Sequence, residues 1–387
     1  MDTSAVEPPV RLINWKLAAD AAARLGSAGP KLTNSDREGV VADLRRHADA
    51  SVAHVHRITG LEAARDLRDS QVLIVDRASW ARANTHSFEA LLDPALRRLG
   101  EKKGSQLSES TVALSGFLTG AEMGAILAFL SSKVLGQYDP FAGLLRPAAS
   151  AGGRLMLVAP NIVEVERELG VEPADFRLWV CLHEQTHRVQ FAAAPWLRDH
   201  LRDQISRLAE GLVETTDGLG ERLMGVAREA LGARNAVAGE DKAPVSGDGG
   251  EAEGAPGLLA VLKDPQDQAI LSHLTAVMSL LEGHANVVMD AVDASIVPTV
   301  RTIRQRFNRR GENRSALEKW VRHLLGLDAK MRQYADGQKF VQRIVDRVGM
   351  ERFNVIWERP EHLPTERELH HPDEWIDRMG LSPAPAR

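Results

Sequence analysis

Residues 180–191 read Val-Cys-Leu-His-Glu-Gln-Thr-His-Arg-Val-Gln-Phe, which sets His183, Glu184 and His187 in the pattern His-Glu-x-x-His within an apolar run. Positions i and i+4 of a helix share a face about one turn apart, so His183 and His187 can offer two imidazole nitrogens to one metal ion. Glu184 is rotated toward a water on that ion and is the candidate general base. The pattern therefore demands a helix here, and the flanking residues agree. Pro173 suits the first helical position and Asp175 the positive end of the helix dipole. The run Phe-Arg-Leu-Trp-Val-Cys-Leu from Phe176 is apolar nearly all round, as in a helix buried on most sides. Two histidines and a glutamate in such a helix need a compensating partner, because buried polar groups are costly unless paired or metal-bound. Hydrogen-bonded core histidines are the simpler alternative.

A catalytic zinc (Zn2+) site needs three protein ligands and an open position for water. The extended pattern HExxHxxGxxH is excluded, because Gln190 and Ala193 stand where it needs glycine and histidine. The segment Leu274–Val292 is the best source of a third ligand. It is an apolar helix interrupted by Glu282, His284, Asn286 and Asp290. Glu282, Asn286 and Asp290 recur at i, i+4 and i+8 and form one polar stripe. The reading takes Glu282 as third ligand, with Asn286 or Asp290 orienting His183 or His187. His284 competes for the role, but it points about 160° away from Glu282 on an ideal helix. An ordinary buried glutamate with a pairing partner is the alternative for Glu282.

These motifs, with Val-Leu-Gly-Gln-Tyr-Asp-Pro-Phe at 134–141 and Gln-Tyr-Ala-Asp-Gly-Gln-Lys-Phe-Val at 333–341, resemble the actinobacterial zincin-like metallopeptidase type 2 family. The resemblance runs from Asn14-Trp15 to the Leu-Pro-Thr and Pro-Asp-Glu-Trp stretches near the end. It implies a zincin-like metallopeptidase fold and zinc peptidase activity. The family is also described as associated with the biosynthesis of a deazaflavin cofactor. Arg188 departs from the zincin consensus, which has an uncharged residue after the second histidine, and a nearby carboxylate is expected to pair with it.

The fold expected is mainly α with a small β-sheet. Ser35-Asp36-Arg37-Glu38 reads as a capping box, after which Val41, Leu44, Ala48, Val52 and Val55 recur at helical spacing. Further helices are expected near 18–25, 61–67, 80–99, 121–135, 196–231, 267–294 and 316–348. Strands are expected at Gln71–Val75 and Arg154–Val158. The second of these, ending at Ala159-Pro160-Asn161, would line the cleft, where an exposed edge could take an extended peptide. The chain divides into an N-terminal helical region (1–150), a zincin-like catalytic region (151–348) and a C-terminal extension (349–387). Residues 232–257 have almost no large apolar side chain and read as a disordered insertion. They fill part of the 282 − 187 = 95 residue gap between the second histidine and Glu282.

Composition excludes little but agrees. Net charge is −5 from 48 basic and 53 acidic residues, with no concentration that suggests nucleic acid or a membrane surface. The one cysteine, Cys181, cannot form an internal disulfide and reads as a buried apolar thiol. No signal peptide or spanning segment is recognisable at the start or elsewhere, so the cytoplasm is the expected location. His54 with His56, and His370 with His371, do not present ligand geometry of comparable quality.

Three functions fit these residues. In the first, a metallopeptidase acts on a peptide or protein substrate, with Glu184 as base and Tyr334 stabilising the oxyanion; Tyr138 and His284 stand behind Tyr334. The others are a zinc hydrolase of a small amide or ester, and a non-catalytic scaffold in which four protein ligands close the site.

Overall fold

The computed structural model describes residues 13–104, 109–144, 152–215, 264–312 and 327–381. The expected insertion at 232–257 and the expected helical residues 216–231 and 316–326 lie outside these. Among the described residues, helices predominate and three short strands form one sheet. No described helix is long and apolar enough to cross a membrane.

The first four helices are α1 (Trp15–Leu25), α2 (Asn34–Thr59), α3 (Arg77–Gly104) and α4 (Glu109–Ser131). The capping box of α2 is formed by Thr33 and Asp36, two residues upstream of the expected Ser35 and Glu38. The Thr33 hydroxyl accepts from Asp36 N at 3.1 Å and the Asp36 carboxylate accepts from Thr33 N at 3.2 Å. Gly60, in the left-handed conformation, ends the helix. The expected helix at 61–67 is instead a single 3-10 turn, Glu62–Ala64. The chain reverses there, with Asp66 at φ 53°, leaving too few residues to propagate a helix.

The strands are β1 (Gln71–Val75), β2 (Gly136–Asp139) and β3 (Arg154–Val158), in the order β1-β3-β2. β1 runs parallel to β3, pairing Leu73 with Met156, and β2 runs antiparallel, pairing Tyr138 with Leu155. Both expected strands occur with the expected bounds. β3, however, is central, so its edges are already paired and it cannot receive a peptide; β2 is an outer strand. The alternation of β3 divides its residues between two cores. Leu155 and Leu157 join the main cluster, while Met156 and Val158 pack with Ala22, Trp80, Ala81 and Leu127.

Ala159-Pro160-Asn161, where β3 ends, opens a helix, α5 (Ala159–Leu169). The motif helix α6 follows (Pro173–Ala193), with Pro173 in its first turn as expected. Asp175 there accepts from Thr299 N and Oγ1, both at 2.7 Å. Then come α7 (Leu197–Thr215), α8 (Pro265–Ala291), α9 (Val300–Glu312) and α10 (Leu327–Val348). Helix α8 packs along α10, α6 and α7. Its crossing with α10 occurs at Gly283 and Gly337. A methyl group on Gly283 would overlap the Gly337 carbonyl, and one on Gly337 would overlap Ser279 O. Only paired glycines let the two backbones approach this closely.

After α10 the chain continues through short helices into the same main core as α6. Phe353, Ile356, Trp357, Leu363, Trp375 and Ile376 are all buried in it. Burying apolar side chains stabilises by roughly 25 cal/mol per Å², so these residues are an integral part of the fold's stability.

Candidate metal centre

Helix α6 is buried nearly all round, from Phe176 to Gln190. His183 and His187 emerge on its partly open face, with side chains 27% and 14% exposed; Glu282 of α8, 29% exposed, meets them. The Nε2 atoms of the two imidazoles lie 3.3 Å apart. His183 Nε2 is 3.9 Å from Glu282 Oε2, and His187 Nε2 is 3.7 Å from Glu282 Oε1. Among the described residues, these three form the one group of histidine, cysteine or acidic side chains whose ligand atoms all lie within 4.8 Å of one another. In a tetrahedral zinc site with bonds of 2.0–2.1 Å, ligand atoms sit roughly 3.3–3.4 Å apart. The donor set and its spacing fit a zinc ion with small adjustments.

Glu184, 7% exposed, is buried beside this group. Burial raises its carboxyl to about 7; His187 opposes that shift and Glu282 adds to it. Burial also lowers His183, reinforced by His187 and opposed by Glu282, so its ring favours the neutral form that can donate a lone pair. Space for the Glu184 side chain comes from Gly136 on β2. A Cβ there would fall 2.5 Å from Glu184 Cγ and 2.7 Å from Cδ. Gly136 carried no signal of its own in the sequence beyond its place in the 134–141 motif. Gly136→Ala is expected to displace the Glu184 carboxylate, since a flexible side chain yields more easily than a strand. Because a misplacement of about 1 Å can cost on the order of 10²-fold in rate, turnover should fall by up to that factor while thermal unfolding barely moves. Wild-type turnover in this variant would show that the β2 contact does not set the position of Glu184.

The partner of the second histidine is Gln190, not Asn286 or Asp290. Gln190 Oε1 lies 3.0 Å from His187 Nδ1. Asp290 instead accepts from Gln338 Nε2 at 2.7 Å. A polar residue three positions after His187 in an otherwise apolar stretch was the available signal for Gln190.

His284 does not join the cluster. It is fully buried, its Nδ1 is 3.0 Å from Gln190 Nε2, and its ring packs against Phe353 and Trp357. Burial, with His187 nearby, lowers it to about 3. The helical phase that sets Glu282 toward the imidazoles turns His284 away from them. Tyr138 is likewise committed elsewhere: its hydroxyl donates to Gly152 O, and burial raises it to about 12. Tyr334 lies on α10, and its side chain is outside the described residues.

Arg188 pairs with Asp69, Nε to Oδ1 at 2.8 Å, and donates to Leu67 O at 3.2 Å, so the unusual charge ties the motif helix to the segment before β1. Cys181 is buried and burial raises its thiol, as suits a packed side chain. His56 lies 3.7 Å from Glu62 and His370 3.6 Å from Asp336, each apart from the centre.

The sequence matches the zincin-like metallopeptidases over residues 13–376. The chain belongs to that family. Among solved structures, this zincin-like protein is similar to one from Chloroflexus aurantiacus, described as a candidate hydrolase with a novel fold. The two share 30% identity with a TM-score of 0.62, over 95% of this chain and 99% of that one. No curated protein matches the chain. Family membership implies a metal, usually zinc, and His183, His187 and Glu282 are the residues available to hold it.

Proposed function

We propose that this zincin-like protein is a zinc-dependent peptidase in which His183, His187 and Glu282 hold the metal and Glu184 is the general base. The observation that carries the reading is a buried carboxylate, Glu184, directly beside a group of three ligand atoms that fits zinc. When bound, the metal supplies Lewis acidity toward a carbonyl oxygen and acidifies water. Glu184 accepts a proton as the water oxygen bonds to the scissile carbonyl carbon. The C–N bond then breaks and the same carboxyl delivers the proton to the departing nitrogen.

A peptide or protein substrate is favoured by the outer position of β2, whose first residue, Gly136, touches Glu184. An extended chain added to that strand would run past the base. Tyr334, three residues before Gly337 at the α8–α10 crossing, is proposed as the oxyanion donor. A purely structural metal site would need a fourth protein ligand. Among the described residues the group has three members, which supports an open position and a catalytic role.

Zinc content and turnover of a mixed peptide library test this together. One zinc per chain is expected, with cleavage abolished by a chelator and restored by added zinc. A zinc-loaded protein that cleaves no peptide but hydrolyses small amides or esters would replace the peptidase reading with the small-substrate one.

A further inference from the structure

Gln190 is completely buried, and its amide has one satisfactory orientation. Nε2 lies 2.8 Å from Leu281 O, which only accepts hydrogen bonds, so the NH2 group must face that carbonyl. The same NH2 faces His284 Nδ1 at 3.0 Å, which makes Nδ1 the acceptor. Oε1 is thereby turned to His187 Nδ1 at 3.0 Å, and an amide oxygen there requires a proton on Nδ1. His187 is then left with its lone pair on Nε2, the atom that faces His183 and Glu282.

His284 completes the chain at a cost. With Nδ1 accepting, its proton is on Nε2, a buried atom that has no hydrogen-bond partner among the described residues. Leaving such a donor unsatisfied costs about 1–3 kcal/mol, which a leucine or phenylalanine in the same space would avoid. The ring is fixed between Phe353, stacked at 5.6 Å between centroids, and Trp357, edge-on at 5.2 Å. Both aromatics come from the segment that follows α10.

We propose that Gln190 and His284 are positioning residues of the metal centre: together with Leu281 O they lock His187 in the tautomer that presents Nε2 to the ion, and the Phe353–Trp357 clamp holds His284 in register. This rests on the metal-binding reading above. It assigns the otherwise unexplained orphan N–H a purpose, and it couples the C-terminal segment to the ion through two side chains.

The test uses the full-length protein with zinc as the ligand. Long-range 1H–15N spectra of the wild type should show His187 as the Nδ1–H tautomer, both metal-free and zinc-loaded. Gln190→Leu removes the acceptor and should weaken zinc binding about 10–100-fold, the usual effect of losing a ligand's hydrogen-bond partner. His284→Leu should also weaken binding. His284→Asn, whose Oδ1 can replace Nδ1 as acceptor, should recover most of that loss. A proton on His187 Nε2 in the metal-free wild type overturns the proposal even if every variant misfolds. So does a folded Gln190→Leu protein with unchanged affinity, or His284→Asn binding no better than His284→Leu. A wild type that binds no zinc would instead remove the metal-binding reading itself.

Discussion

Glu184→Gln is expected to lower peptide turnover by about 10²–10⁴-fold, the range for loss of a general acid–base group, while zinc stoichiometry stays at the wild-type value. The substitution keeps the side chain's size, so it preserves the packing against Gly136. It also leaves His183, His187 and Glu282 untouched. What it removes is, among the described residues, the one buried carboxylate beside the cluster, the group proposed to accept and return a proton. Rates measured with saturating zinc, together with metal content by mass spectrometry, separate the two roles. Equal turnover by the variant and the wild type would exclude Glu184 as the base. Loss of zinc from the variant would show that Glu184 supports the ligands instead.

The second large effect is expected at Glu282. Glu282→Ala deletes one of the three proposed ligand groups and a carboxylate that faces both imidazoles, at 3.7 and 3.9 Å. Zinc affinity should fall by more than the roughly 10–100-fold that follows loss of an outer hydrogen-bond partner, and turnover should vanish at ordinary zinc concentrations. Glu282→Asp retracts the carboxylate by one methylene and should fall between alanine and wild type. Competition with a chromophoric chelator measures both. The folded state should tolerate either change, since Glu282 is partly exposed and Gly283, which the α8–α10 crossing requires, is retained. Wild-type affinity in Glu282→Ala would mean that the third ligand comes from elsewhere.

These predictions draw on residues of different visibility. The two strands at 71–75 and 154–158 were legible because apolar runs bounded by turn residues carry their own signal. β2 was not, because Gly-Gln-Tyr-Asp has no apolar run; it becomes a strand by pairing with β3. The cap of α2 was misplaced by two residues because Thr33-x-x-Asp36 and Ser35-x-x-Glu38 both satisfy the pattern and only the folded backbone selects one. The seven residues at 61–67 have helical spacing, but Gly60 and Asp66 turn the chain too soon for a helix to grow.

The candidate metal centre divides in the same way. His183, Glu184 and His187 are set by the pitch of a single helix, so five consecutive residues determine their relation without reference to the remainder of the chain. Glu282 enters 95 residues later, and its choice over His284 depends on how α8 is rotated against α6. That rotation is decided by packing: the Gly283–Gly337 contact holds α8 against α10, and Phe353 with Trp357 encloses His284 on the far side. Gln190 could be seen as an odd polar residue, but its role depends on Leu281 O and His284 meeting it across a helix interface. Local periodicity therefore determined the motif and the chemistry it suits. The third side chain, the hydrogen-bond partner of His187 and the glycine that makes room for Glu184 were decided by tertiary contacts alone, because helical phase and close backbone approach are properties of packed pairs rather than of any one segment.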